Sequence, residues 1–224
     1  QMFTLKTPGG KSLTLRPEGT PGVVRAYLEY GLINQPHPLK LYYLGPMFRY
    51  EQPQAGRWRQ FQQLGFEVIG EMDPVLDVQV IQVCFNFLKN MGLKKISLQL
   101  NSLGCKNCRP SYRKVLTDYY RYRRNKICVD CRRRLKENPL RLLDCKEEKC
   151  QPIKMLAPNI VDYLDNECRQ HFKCVLEYLD ELAIPYFLNN NIVRGLDYYT
   201  KTVFEFFIEE ENGKAPLSNS LGGG

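Results

Sequence analysis

Apolar and polar positions alternate with a period of two over Ser12 to Arg16, Leu41 to Arg49 and Arg59 to Ile69. That alternation predicts three strands. The last two are joined by Tyr50 to Trp58, so they read as a long hairpin. The pattern then changes period: Asp73-Pro74 has the form of a capped helix start, Leu76, Val80, Val83 and Phe87 recur on one face, and Gly92 ends the run. A short strand at Ile96 to Leu100 precedes a basic, cysteine-rich stretch, an amphipathic helix is expected over Asn159 to Leu182, and strands resume at Tyr186 to Asn189 and Thr202 to Ile208. Asn212-Gly213 predicts a turn before Leu217 to Leu221. With few parallel βαβ signals, antiparallel pairing with flanking helices fits best, an α+β fold interrupted by an insertion.

Composition narrows the class. The 224 residues are 43% hydrophobic with mean hydropathy −0.41, and no apolar run approaches the length of a membrane span. Gln1 to Thr4 has none of the layout of a signal peptide, and nine cysteines suit a reducing compartment, so a cytoplasmic protein is expected, with no membrane partner. Charge is uneven: Cys105 to Cys150 holds 15 basic and 6 acidic residues, whereas the rest of the chain carries 17 and 18. This concentrated field favours a polyanion, and Tyr112, Tyr119, Tyr120 and Tyr122 are interleaved with it, either as stacking groups or as core.

The motifs exclude some chemistry. Gly10-Lys11-Ser12 is not a P-loop, because the glycine needed five positions earlier is Leu5. His37 and His171 are the only histidines, which argues against His-based nucleophilic catalysis. What stands out is the density of Arg and carboxylate near strands, at Arg16, Glu18, Arg49, Glu51, Arg57, Arg59, Glu67 and Arg194. Such charges are costly unless paired or facing a ligand. Period-two geometry puts Arg59, Phe61, Gln63, Gly65 and Glu67 on one face, a surface that suits a nucleotide and a small zwitterion. Cys105-x2-Cys108-x19-Cys128-x2-Cys131 has the spacing of a four-thiolate structural Zn2+ site, with Cys145 and Cys150 spare or replacing one knuckle.

Three blocks, Leu13 to Arg25 (LTLRPEGTPGVVR), Tyr42 to Gly70 (YYLGPMFRYEQPQAGRWRQFQQLGFEVIG) and Asn190 to Phe206 (NNIVRGLDYYTKTVFEF), resemble the bacterial histidyl-tRNA synthetases. The second is similar to class II motif 2 and the third to the block peculiar to the histidine enzymes. The resemblance runs nearly end to end. It implies a class II antiparallel sheet flanked by helices with a mostly helical insertion, divided as residues 1–100 (catalytic core, motif 2), 101–189 (insertion) and 190–224 (catalytic core, histidine-specific block). It also implies a histidine-tRNA ligase, with L-histidine, ATP, Mg2+ and tRNA(His) as ligands and a homodimer as the full-length assembly.

By the same resemblance, Arg49 and Arg194 are the catalytic arginines, flanking the α-phosphate and also touching histidine. Glu18, Gly19, Thr20 and Gln63 hold the α-amino group, while Glu67, Tyr198 and Tyr199 read the imidazole. Glu51, Arg57 and Phe61 join Arg49 at ATP, with Phe61 stacking on adenine, and Gln52 to Gly56 meet the tRNA acceptor end. The match further leads one to expect a truncated catalytic fragment, without motif 1, motif 3 or an anticodon-binding domain, impaired alone. The rival expectation is the non-catalytic, histidine-binding paralogue that regulates ATP phosphoribosyltransferase; it typically lacks the insertion.

Overall fold

The computed structural model describes residues 2–50, 58–194, 198–208 and 220–224. They form two compact units, Gln1–Met72 and Asp73–Gly224. That division does not coincide with the boundaries expected at 100/101 and 189/190.

In the first unit, β1 (Thr4–Lys6) and β2 (Ser12–Thr14) make a small antiparallel hairpin. Helix α1 (Thr20–Glu29) starts at Gly19 with proline in its first turn, where the missing N–H costs nothing. The long hairpin is β3 (Leu39–Phe48) and β4 (Gln60–Ile69), paired without a bulge from Leu39↔Ile69 to Phe48↔Gln60. His37 bonds Tyr27 (Oη to Nε2, 2.8 Å) and packs on Gly70, where a Cβ would lie 1.8 Å from its ring. It is a structural residue.

In the second unit, α2 (Pro74–Asn90) is capped by Asp73, which accepts from Val75 N at 2.9 Å. The sheet runs β6 (Tyr186–Leu188), β5 (Ile96–Ser102), β7 (Thr202–Ile208), β8 (Gly222–Gly223), with β5 and β6 parallel and the other pairs antiparallel. Leu98, Leu100, Phe204 and Phe206 present one face of this sheet to Val78 and Ile81 of α2 and to Phe172, Val175 and Leu179 of α6 (Asn166–Glu181). Between β5 and α6 lies the insert, with α3 (Arg109–Arg121), α4 (Val129–Glu137), α5 (Gln151–Met155) and short 3-10 turns around a separate core. No described helix is long and apolar enough to cross a membrane.

Two expectations need correction, and one alternative is decided. Of the expected face of α2, Leu76 is buried and Val80 packs on the core, but Val83 and Phe87 are substantially exposed, and Val78, Ile81, Phe85 and Leu88 complete the buried side. Apolar residues nearly encircle this helix, so its sequence alone does not single out the buried face. The helix expected from Asn159 begins at Asn166, because Asp165 caps it and Ile160–Tyr163 closes a separate 3-10 turn. Of the four tyrosines interleaved with charge, Tyr112 and Tyr120 are fully buried and Tyr119 is half-buried, which leaves Tyr122 as an exposed ring. The Asn212-Gly213 turn lies outside the described residues.

Candidate active site and cysteine clusters

In the first unit, the β3–β4 hairpin assembles one group of candidate residues. The ladder places Phe61, Gln63, Gly65 and Glu67 on one face, opposite Met47, Gly45, Tyr43 and Leu41. Tyr43 lies flat between two glycines: a Cβ on Gly19 would come within 2.3 Å of its ring and one on Gly65 within 2.2 Å. Glycine at both positions lets the Glu18-Gly19-Thr20 turn close over the strand pair. The closure brings Thr20 Oγ1 to Glu67 Oε1 at 2.6 Å. Burial pushes the Glu67 pKa up, the Thr20 hydroxyl opposes that, and the charge of Glu18 adds to it. Gln63 Oε1 is buried with no hydrogen-bond partner among the described residues, which marks a place for an external donor. Arg49 sits at the mouth of this face, held by Nε donating to Pro17 O at 2.9 Å, with its guanidinium 4.9 Å from the centre of the Phe61 ring. Glu51, Gln52 to Gly56 and Arg57 lie outside the described residues.

In the second unit, a separate group of candidate residues lies on the polar face of the β5–β7 pair. Gln99 and Glu205 are cross-strand partners, and Asn101 follows on the same face. Asn101 is fully buried and donates to the carbonyls of Asn190 (3.3 Å) and Ile192 (3.0 Å), while Gln99 accepts from Asn189 at 2.7 Å. These bonds tie the segment leading to Arg194 onto the sheet. Arg194 Nη1 then meets Glu205 Oε1 at 3.0 Å, and its guanidinium lies 5.1 Å from the centre of the Tyr199 ring, itself stacked on Tyr198. Burial raises the Glu205 pKa, Arg194 pulls it down, and Asp144 of the insert pushes it up again. The arginine is thus braced in position, with one edge committed to Glu205.

The cysteines fall into two clusters, each with its ligand atoms within 4.8 Å of one another: Cys128, Cys131, Cys145 and Cys150, and Cys105, Cys108, Cys168 and Asp165. The four-thiolate site expected from Cys105, Cys108, Cys128 and Cys131 is therefore not assembled. Each CxxC knuckle starts a different helix, Cys108 capping α3 and Cys128 capping α4, and each finds partners from a different later segment. In the first cluster Cys145 and Cys150 complete the set, the Cys128 and Cys145 sulfurs are 3.9 Å apart, and Cys131 N and Cys128 N donate to sulfur at 3.3 and 3.2 Å. Tetrahedral zinc with bonds near 2.3 Å holds its sulfurs about 3.8 Å apart, so this spacing fits that ion.

The family model for histidyl-tRNA synthetase matches residues 1–107. Across the chain, the histidine–tRNA ligase of Desulforudis audaxviator is 53% identical over 208 residues, 93% of this chain and 50% of its own length. That of Desulforamulus reducens is 47% identical over all 224 residues, 52% of its length. The solved apo histidyl-tRNA synthetase of Staphylococcus aureus is 39% identical over 96% of this chain and 52% of its own, with a TM-score of 0.73. Over nearly its whole length the chain is similar to histidyl-tRNA synthetases. It spans about half the length of the curated relatives it matches. An ATP phosphoribosyltransferase regulatory subunit/histidyl-tRNA synthetase structure from Bacillus halodurans C, 22% identical with a TM-score of 0.63, shares the fold.

Within this synthetase framework the hairpin unit gathers Gly19, Thr20, Arg49, Phe61, Gln63 and Glu67, and the second unit gathers Arg194, Tyr198 and Tyr199. Sequence reasoning missed Tyr43, Gln99, Asn101 and Glu205, which are indistinguishable from ordinary strand residues until the register is known. It also missed Asp165 and Cys168. Their signal was an Asp-x2-Cys at a helix start, opposite no second cysteine.

Proposed function

We propose that this chain is the histidine- and ATP-binding part of a histidine-tRNA ligase that forms histidyl-adenylate and passes the histidyl group to tRNA(His). The observation that carries the reading is the hairpin face, where Arg49, Phe61, the unpartnered Gln63 and the buried Glu67–Thr20 pair succeed one another along a single strand ladder. A buried carboxylate hydrogen-bonded to a hydroxyl suits an imidazole, which both donates and accepts. A pocket built on such partners rejects amino acids that leave them unpaired. Glu18, Gly19, Thr20 and Gln63 hold the α-amino group; Tyr198 and Tyr199 add ring contacts.

In the reaction the histidine carboxylate attacks the α-phosphorus of ATP, taken as its Mg2+ complex, and pyrophosphate leaves. No protein nucleophile is needed, so catalysis is alignment and neutralisation of growing negative charge. Arg49 and Arg194 serve from two separate stretches of chain, and Phe61 supports adenine. Glu51 and Arg57 complete the ATP set. The division into a motif 2 core at 1–100, an insertion at 101–189 and a histidine-specific block at 190–224 is part of this proposal, as are a homodimer and action in the cytoplasm. The exposed basic side of α3, a shallow groove lined by Arg113, Lys114 and Arg121, faces tRNA phosphate. Cys128, Cys131, Cys145 and Cys150 hold a structural Zn2+ that fixes the insert.

Histidine-dependent ATP–pyrophosphate exchange by the full-length protein is the test. Exchange with histidine and none with other amino acids is expected. Histidine binding without exchange would favour the regulatory paralogue, and neither binding nor exchange would leave only an RNA-binding zinc module.

A further inference from the structure

The insert leaves the sheet after β5 and returns to it at α6, and the second cysteine cluster lies where those two crossings meet. Cys105 and Cys108 come from the outgoing turn, Asp165 and Cys168 from the first residues of the returning helix. The Cys108 sulfur is 3.8 Å from that of Cys105 and 3.9 Å from that of Cys168. A disulfide would need about 2.05 Å, whereas two thiolates on one tetrahedral zinc stand about 3.8 Å apart. Cys105 N donates to the Cys108 sulfur at 3.2 Å and Asn107 N to the Cys105 sulfur at 3.3 Å, the same N–H to sulfur pattern as in the other cluster. Backbone donors of this kind support thiolate rather than thiol. Asp165 divides its oxygens: Oδ1 caps the helix by accepting from Cys168 N at 2.8 Å, and Oδ2 turns to the Cys105 sulfur at 3.1 Å. Gly104 adopts φ +61°, and a Cβ there would lie 2.6 Å from the Cys108 sulfur, so the turn is shaped around that thiol. Both α3 and α6 begin at the cluster, and their N-terminal dipoles favour the net negative charge of three thiolates and a carboxylate around a divalent ion.

We infer that Cys105, Cys108, Cys168 and Asp165 form a second structural zinc site, independent of the four-cysteine site, so that one chain carries two zinc ions. The position gives this site a function of its own. Arg109, the residue after Cys108, donates to the carbonyls of Leu103, Gly104 and Tyr199, and Lys201 pairs with Glu167 at 2.9 Å beside Cys168. A zinc ion here pins the two ends of the insert and, through Arg109, the segment that carries Tyr199 under Arg194.

The experiment is zinc stoichiometry of the 224-residue chain purified without chelators, read by elemental analysis and by native mass spectrometry. Two zinc ions per chain are expected. The double variant Cys105→Ser/Cys168→Ser should hold one, and Cys145→Ser/Cys150→Ser should hold the other one. Co2+ exchanged into each variant should give tetrahedral cobalt–thiolate spectra, with weaker sulfur charge transfer at the three-thiolate site than at the four-thiolate one. One or no zinc in the unaltered chain overturns the inference even if a variant fails to fold, and so does a Cys105→Ser/Cys168→Ser variant that retains two. A disulfide between any of the three cysteines in the purified chain overturns it as well.

Discussion

Ten backbone rungs from Leu39↔Ile69 to Phe48↔Gln60 hold the side chains of the β3–β4 hairpin in place, while the insert has three short helices, several 3-10 turns and a core in which, among the described residues, five of fourteen buried members are cysteines. The hairpin obtains its geometry from main-chain hydrogen bonds that any sequence can make, so its side chains are free to be chosen for ligand contact. The insert is rich in Arg and Lys, which contribute little to a core. Two of its tyrosines bond main-chain carbonyls, Tyr112 at Pro158 O (2.9 Å) and Tyr119 at Ile153 O (2.8 Å), whereas the buried Tyr120 hydroxyl has no hydrogen-bond partner among the described residues. A segment so charged packs around its thiols, so the same chain obtains rigidity in two ways, from a hydrogen-bond ladder in the hairpin and from sulfur clusters in the insert.

The largest effect is expected at the proposed four-cysteine zinc site of the insert. Cys131→Ser, at a buried ligand of the four-cysteine cluster, should abolish ordered structure in α3 and α4 and open residues 121–150 to protease, because structural zinc sites carry on the order of 10 kcal/mol of folding free energy. The β3–β4 unit should remain resistant. Equal loss of protection in both regions would break the contrast. Next in size is Gly65→Ala, whose new Cβ would fall 2.2 Å from Tyr43; overpacking of this kind costs about 1–3 kcal/mol, and Tyr43→Ala in the same chain should restore much of it. Denaturant unfolding followed on the hairpin unit checks both.

How much of this could be read beforehand depended on which of the two means was in use. Period-two alternation exposed both hairpin strands to within two residues, and with them the shared face of Phe61, Gln63 and Glu67. The Glu205 partner of Arg194 was hidden, since its role depends on the β5–β7 register across more than a hundred residues. The Cys-x2-Cys spacing pointed to clustered thiols but not to their pairing, because a knuckle contributes only two sulfurs and the rest of each cluster comes from segments whose position tertiary packing decides. α2 misled for a related reason: with apolar residues nearly all round it, only the sheet could select Val78 and Ile81.

Smaller effects sharpen the picture further. Affinity of the full-length protein for tRNA should fall steeply with salt, and Arg113→Ala with Lys114→Ala should lower the slope of log affinity against log salt by about one per charge, leaving histidine binding unchanged. A flat salt response would remove the insert from the RNA interface. The smallest is at Glu67. Its pKa is raised in the folded state, chiefly by burial, so the fold binds that proton more tightly than the unfolded chain does. The corresponding stability is fully present below the ordinary carboxylate value and is lost as pH rises through the raised one. Urea unfolding of the hairpin unit between pH 4 and 7 should show that decline in the native sequence and not in Glu67→Gln.

In the proposed reaction Arg194, braced by Glu205 and set over Tyr199, acts on the reacting phosphate rather than on histidine affinity. Single-turnover formation of histidyl-adenylate by full-length Arg194→Ala, with histidine affinity measured alongside, separates the two. A rate lower by several orders of magnitude with histidine affinity changed only slightly is the predicted result. Near-normal adenylate formation would contradict it.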